Sequence, residues 1–135
     1  MANGAKWSGT VGVERITPIL RVSDIQASIA WYGALFGMRR LWGAEPPHEG
    51  FGAVGAEEAT LMLCEGEQGC IRTWVWIGVE DVERLYERCQ IEGVRVVSPP
   101  AHYPWAYEMR IEDPDGHILR VGSEPREDHS SMPPD

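Results

Sequence analysis

Two stretches of the chain repeat one order of apolar and polar positions. Residues 16–22 are rich in apolar and β-branched residues, read as a buried strand and lead into a helical pattern ending near Gly37; residues 73–79 read as a strand too and lead into a pattern ending at Gly93. Ile25, Ile29, Tyr32, Leu35 and Phe36 recur at helical spacing in the first, and Val82, Leu85, Tyr86 and Cys89 in the second. Ser23 or Asp24 can cap the first helix, Gln26 completes a capping box with Ser23, and a glycine supplies the left-handed stop of each helix. Residues 38–43, 50–54 and 60–64 read as strands after the first helix, broken by Pro46-Pro47 and Glu57-Glu58. Residues 94–97, 107–112 and 118–121 read as strands after the second, with Asp113-Pro114-Asp115-Gly116 as a turn. Val22 and Asp24 map onto Val79 and Asp81 with one offset, so the chain reads as a duplication of a β-α-β-β-β unit.

Pro18 has no ladder donor, so the first strand is expected to leave that edge partly unpaired. Strand alternation puts Ile16, Leu20 and Val22 on one face of it and Thr17, Ile19 and Arg21 on the other. In the second unit Thr73, Val75, Ile77 and Val79 are expected under the helix, with Trp74, Trp76 and Gly78 on the opposite face. A length of 135 residues suits one domain over residues 13–122, with modules at about 13–66 and 70–122. Residues 1–12 and 123–135 read as flexible ends, one glycine-rich and the other proline-rich.

Composition narrows the function. A net charge of −9 with scattered basic residues gives no footprint for nucleic acid, and no apolar run approaches the length of a membrane span. The first twelve residues lack the pattern of a secretory signal, so a cytoplasmic protein is expected. Cys64, Cys70 and Cys89 lack metal-site spacing, and Cys64 and Cys89 fall in apolar patterns, as buried reduced thiols do.

The opening residues 17–25 with Ser28, Trp31, Tyr32 and Leu35-Phe36-Gly37-Met38, and the closing Pro104-Trp105, Glu108 and Asp113-Pro114-Asp115-Gly116-His117, carry a resemblance. They resemble the vicinal oxygen chelate superfamily of glyoxalases, bleomycin-resistance proteins and dioxygenases, closest in style to its metal-free bleomycin-resistance-like members. The resemblance implies an α+β fold: two tandem βαβββ modules forming a curved mixed sheet with the helices outside, assembled as a homodimer that shapes two clefts.

Enzymes of that superfamily hold a divalent metal through histidines and glutamates on the first and last strands of the modules. Carried onto this chain, those positions are Thr17, Met62, Trp74 and Arg120, and none is a suitable ligand. An arginine puts a permanent positive charge where the cation would sit. His48 in a proline-rich loop, His129 in the tail and His117 beside a turn read as solvated, and together with His102 they have poor spacing for another ligand set. No metal, cofactor or catalytic residue is assigned.

Trp74 and Trp76 either wall the concave face or serve as dimer-interface or core residues, and Trp105, Tyr107 and Met109 are placed on one face of the seventh strand, lining a pocket with Met62 and Arg120. Trp31 and Trp42 read as packing residues. Glu108 reads first as an ordinary exposed strand carboxylate, with orienting a cationic ligand or acting as a general base as the other roles open to it, and Arg120 as either an anion anchor or an ion-pair partner. The expectation is a metal-free small-molecule-binding protein that sequesters an antibiotic or another aromatic or cationic ligand, with no nucleic-acid or membrane partner. The alternatives are a metal-dependent lyase, isomerase or dioxygenase of the same superfamily, and a sensor or accessory subunit.

Overall fold

In the computed structural model, which describes residues 9–125, two helices and eight strands follow the duplicated order. The first module comprises β1 (Ile19–Arg21), α1 (Ile25–Phe36), β2 (Arg39–Glu45), β3 (His48–Ala56) and β4 (Ala59–Cys64). The second comprises β5 (Trp74–Gly78), α2 (Val82–Glu92), β6 (Arg95–His102), β7 (Tyr107–Glu112) and β8 (Ile118–Ser123). Each module makes its own mixed four-stranded sheet, ordered β1-β4-β3-β2 and β5-β8-β7-β6, in which only the outer pair β1·β4 or β5·β8 is parallel. The repeat extends to register: Ile19 faces Met62 across β1·β4, as Trp76 faces Arg120 across β5·β8.

The helix boundaries follow local chemistry. Asp24 and Asp81 adopt extended backbone and accept hydrogen bonds from the amides of Ala27 and Arg84, satisfying donors that the first helical turn leaves orphaned. Gly37 and Gly93 close the helices at φ 75° and 72°, a region costly to residues with a Cβ. The capping box does not form. Gln26 instead donates to the Ala44 carbonyl, and the Ser23 amide donates to Asp115, tying the start of α1 to β2 and to the β7–β8 turn.

Two strands differ from their sequence-based bounds. β1 is three residues long and Ile16 is 91% exposed, since bonding to β4 starts at Pro18, whose carbonyl accepts from the Met62 amide but which has no N–H to give. The outer edge of β1 is met by Cys70, whose amide donates to Ile19 and whose carbonyl accepts from Arg21. β6 runs on through Pro99 and Pro100 to His102, which an edge strand tolerates at the cost of register shifts after Val96 and Ser98.

Each sheet is covered on one face by its helix, and the covered faces share one core built from Leu20, Leu63, Val54, Tyr32 and Leu35 with Val82, Cys89, Met109, Ile111, Leu119 and Val121. Cys64, Cys70 and Cys89 are free; Cys64 and Cys89 are buried, and burial pushes the Cys89 thiol up to about 11. The proposed tails and His129 fall largely or wholly outside the described residues.

The β7–β8 turn joins the modules. Asp113 is buried, with Oδ2 accepting from Tyr32 Oη at 2.7 Å and Oδ1 accepting from the amides of Asp115 and His117. His117 is not solvated, as expected beside a turn, but fully buried: Nδ1 accepts from the Thr73 amide at 3.0 Å, so Nε2–H donates to the Arg21 carbonyl at 2.7 Å. The tautomer is fixed by these two partners, and the ring bridges the end of β1 to the start of β5.

Burial, together with the charge of Asp113 and its hydrogen bond, raises the Tyr32 hydroxyl far above its ordinary value. Tyr32→Phe is expected to cost about 1–2 kcal/mol in urea unfolding at neutral pH. Because the unfolded tyrosine ionises near pH ~10 while the folded one stays neutral, the native protein loses this stability as pH rises above about 10. The difference between the two proteins therefore shrinks in alkali; a constant difference up to pH ~11 contradicts the assignment.

Candidate functional site

The face of the second sheet away from its helix carries a cluster of charged and aromatic groups. Strand parity sets its membership. In β7 the apolar Tyr107, Met109 and Ile111 are buried, so Glu108, Arg110 and Glu112 face the other way. In β5, Trp74 and Trp76 are 60% and 48% exposed while Val75 and Ile77 pack on the core. Register then builds two rows across the sheet: Trp76, Arg120 and Arg110 in one, and Gly78, Gly122 and Glu108 in the next.

Glu108 is the centre of the cluster. Its side chain is 1% exposed and accepts from Arg120 Nε at 3.0 Å and Nη2 at 3.1 Å, from Arg110 Nε at 3.3 Å and from Trp105 Nε1 at 2.7 Å. Burial alone would raise its carboxyl, but the bonds from Arg120, Trp105 and Arg110 with the charge of Arg120 hold it below the ordinary value. The same hydrogen bond from Arg120 raises that guanidinium further above its usual value.

The arginines in turn meet the indoles. The Arg120 guanidinium lies 5.6 Å from the Trp76 ring centre and that of Arg110 lies 5.9 Å from the Trp74 ring centre, within reach of cation–π attraction. A Cβ at Gly122 would stand 2.6 Å from Trp76 Cη2 and 3.0 Å from Glu108 Cβ. Glycine there is what lets the indole lie across β8 beside the carboxylate. Trp76, Gly122, Gly78 and Trp105 line a cavity of about 320 Å³, and Trp105 is 50% exposed and stacked on Tyr103.

Of the residues placed at a site from sequence, the structure brings together Trp74, Trp76, Trp105 and Arg120. Tyr107 and Met109 are corrections: Met109 is fully buried and Tyr107 is 8% exposed, both in the core. Trp105 precedes β7 in the loop closed by the Tyr103–Ala106 hydrogen bonds, so alternation counted from it does not carry into the strand. Glu108 is a third correction, a buried and fully bonded carboxylate rather than an exposed one. Arg110 went unassigned, although the alternation of Tyr107, Met109 and Ile111 with Glu108, Arg110 and Glu112 signals the true parity.

Met62 lies apart, on the open face of the first module, where it lines a cavity of about 350 Å³ with Thr17 and Trp42. Trp31 packs against the core as expected, whereas Trp42 is 44% exposed and stacks on Phe51. A cavity of about 290 Å³ between residues 15–18, 58–61 and 75–78 lies between these two regions and shares Thr17 with one and Trp76 with the other.

The residues do not fit a divalent metal. Among the described residues no three His, Cys, Asp or Glu side chains cluster to hold one, and Thr17, Met62, Trp74 and Arg120, the positions put forward from the resemblance, bring no imidazole or carboxylate.

Residues 12–121 match the Glyoxalase/Bleomycin resistance protein/Dioxygenase superfamily, and the chain belongs to it. No curated protein matches the sequence significantly. Among solved structures, the chain is similar to TnmS3, an antibiotic binding protein from Streptomyces sp. CB03234, with TM-score 0.74 and 21% identity over 85% of this chain and 99% of that one. It is also similar to TioX from Micromonospora sp. ML1, with TM-score 0.69 and 19% identity over 84% of this chain and 98% of that one. A superfamily member from Sphaerobacter thermophilus DSM 20745 matches with TM-score 0.67 and 20% identity over 83% and 98%. At these identities the likeness is one of fold.

Glu108→Gln is expected to destabilise the protein by about 2 kcal/mol at pH 7, less than the ~3–5 kcal/mol of a fully buried pair because both arginines remain about a third exposed. Since the folded carboxyl lies low, this stability is present above the unfolded pKa of about 4.3 and disappears as pH falls below it. An undiminished difference at pH ~3 would contradict the pairing. Gly122→Ala is expected to cost about 1–3 kcal/mol by overpacking, most of it recovered in a Trp76→Ala background, as a double-mutant cycle reads directly.

Proposed function

We propose that this protein is a metal-free small-molecule-binding protein that sequesters a planar aromatic ligand, antibiotics included, on the open face of its second sheet. One observation carries the reading: Trp74, Trp76 and Trp105 stand around a bonded Glu108–Arg110–Arg120 cluster, offering flat apolar surface with fixed polar groups. The antibiotic binding of TnmS3 supports a ligand of this kind on the same fold.

The chemistry of the cluster favours binding over turnover. Glu108 accepts from three side chains and is held ionised, which leaves it a weak base with no free proton to give. Arg120 supplies a fixed cation where a metal enzyme needs a donor.

The assembly in this reading is a cytoplasmic homodimer. Trp42, Trp74, Trp76 and Trp105 are each 44–60% exposed, more large aromatic surface than an isolated soluble domain ordinarily leaves in water. A second copy facing these sheets would turn each open face into a cleft. The free thiols suit a reducing compartment, and none of the described helices is long and apolar enough to cross a membrane.

Titration of the purified protein with 2-naphthamide, a neutral flat probe, is expected to quench tryptophan emission saturably with a dissociation constant of about 0.1–1 mM. The quenching should be the same with chelator or with added zinc, nickel or manganese, and should be lost in Trp76→Ala. Light scattering should give twice the 15.1 kDa chain mass. Absence of saturable quenching, or quenching that requires metal, overturns the reading.

A further inference from the structure

The charge of the cluster, together with its free donors, specifies the ligand further, on the reading that this face binds a flat aromatic molecule. Glu108 carries one negative charge against the two positive charges of Arg110 and Arg120, so these three groups retain one net positive charge; Glu112 on the same face is paired with Arg95, and Glu80 and Glu124 line the neighbouring cavity with Trp76 and Trp105. Arg110 and Arg120 stand directly opposite each other in the β7–β8 register. Like charges so placed repel, and Glu108 between them is what makes the pair tolerable.

The donors are unevenly used. Arg120 gives Nε and Nη2 to the two oxygens of Glu108, and Arg110 gives only Nε. Among the described residues, no hydrogen bond engages Arg120 Nη1 or the two terminal nitrogens of Arg110. The side chains of Arg110 and Arg120 are 32% and 33% exposed, so each guanidinium is held by Glu108 in a side chain that still reaches solvent. Held guanidiniums with spare N–H groups are suited to a planar oxyanion, because the fork matches a carboxylate in geometry and in charge.

We infer that Arg110 and Arg120, positioned by Glu108 over Trp74 and Trp76, form an anion receptor, and that the ligand of this face is an aromatic acid bearing an ionised oxygen such as a carboxylate. The rings of the acid stack on the indoles and its oxygens take the unused arginine donors. Glu108 is a positioning residue in this arrangement: it fixes both guanidiniums and leaves one positive charge uncancelled.

The overall charge of −9 points toward a cationic ligand, but it does not decide the preference. Charges spread over the surface are screened beyond about 8–10 Å at physiological salt, whereas a bound oxyanion would sit in contact with the two arginines. The local charge therefore governs the ranking of bound ligands, and the global charge slows the approach of an anion.

The test uses three probes of one shape on the full chain: 2-naphthoate, neutral 2-naphthamide and 2-naphthylmethylammonium, each followed by tryptophan quenching and by calorimetry. The naphthoate is expected to bind about tenfold more tightly than the amide and the ammonium more weakly than either, with the naphthoate advantage shrinking as salt rises. Arg110→Gln should abolish that advantage, bringing the naphthoate and amide affinities of the variant together; Arg110→Lys, which keeps the charge but not the fork, should retain part of it. Equal affinities for the three probes, or preference for the ammonium, overturn this inference and leave the aromatic-binding reading standing. Binding of none of the three overturns both. If Arg110→Gln fails to fold, the wild-type ranking of the probes and the Arg110→Lys protein decide the question.

Discussion

The buried hydrogen bond from Tyr32 to Asp113 is the contact on which the architecture depends. A βαβββ module covers one face of its sheet with a helix and leaves little core of its own, so the two modules must be held as a pair. Tyr32 lies on the helix of the first module and Asp113 on the closing turn of the second, and the bond between them is 2.7 Å long. Around it the Ser23 amide reaches Asp115, and His117 spans from Thr73 to Arg21. One short turn thus satisfies buried polar groups from both halves, and losing it would leave several unpaired at once.

With the helix-side faces committed to a common core, the opposite sheet faces are left open, and the proposed function is placed there. The second sheet carries its polar groups there in an order fixed by strand parity, and the glycine at 122 opens the space that Trp76 occupies. In the proposed reading, stability and recognition are coupled through Glu108. Its burial is tolerable because three side chains donate four hydrogen bonds to it, and those same bonds hold both arginines in place.

Much of the fold was legible in the sequence because its signals are local. The stops Gly37 and Gly93 and the turn at residues 113–116 act through chain neighbours and fall where the pattern predicts, and Asp24, one of the two candidates, caps the first helix. The site was legible in part. Trp74 and Trp76 follow from alternation along one strand, whereas Tyr107 and Met109 were misplaced because parity was carried through a loop at Trp105 that is not strand. The buried His117 and the bonded Glu108 were not legible: each depends on partners distant in sequence, Arg21 and Thr73 for the one and Arg120 for the other.

The central claim is that ligand recognition belongs to the indoles of the second sheet. The direct measurement is the set of indole N–H signals in a ¹⁵N-correlated NMR spectrum during titration with 2-naphthoate, assigned by single tryptophan replacements. The account predicts that the signals of Trp74, Trp76 and Trp105 move together and saturate while that of Trp31 stays in place. Movement of Trp31 with the other three unchanged, or no movement of any indole at saturating probe, would contradict it.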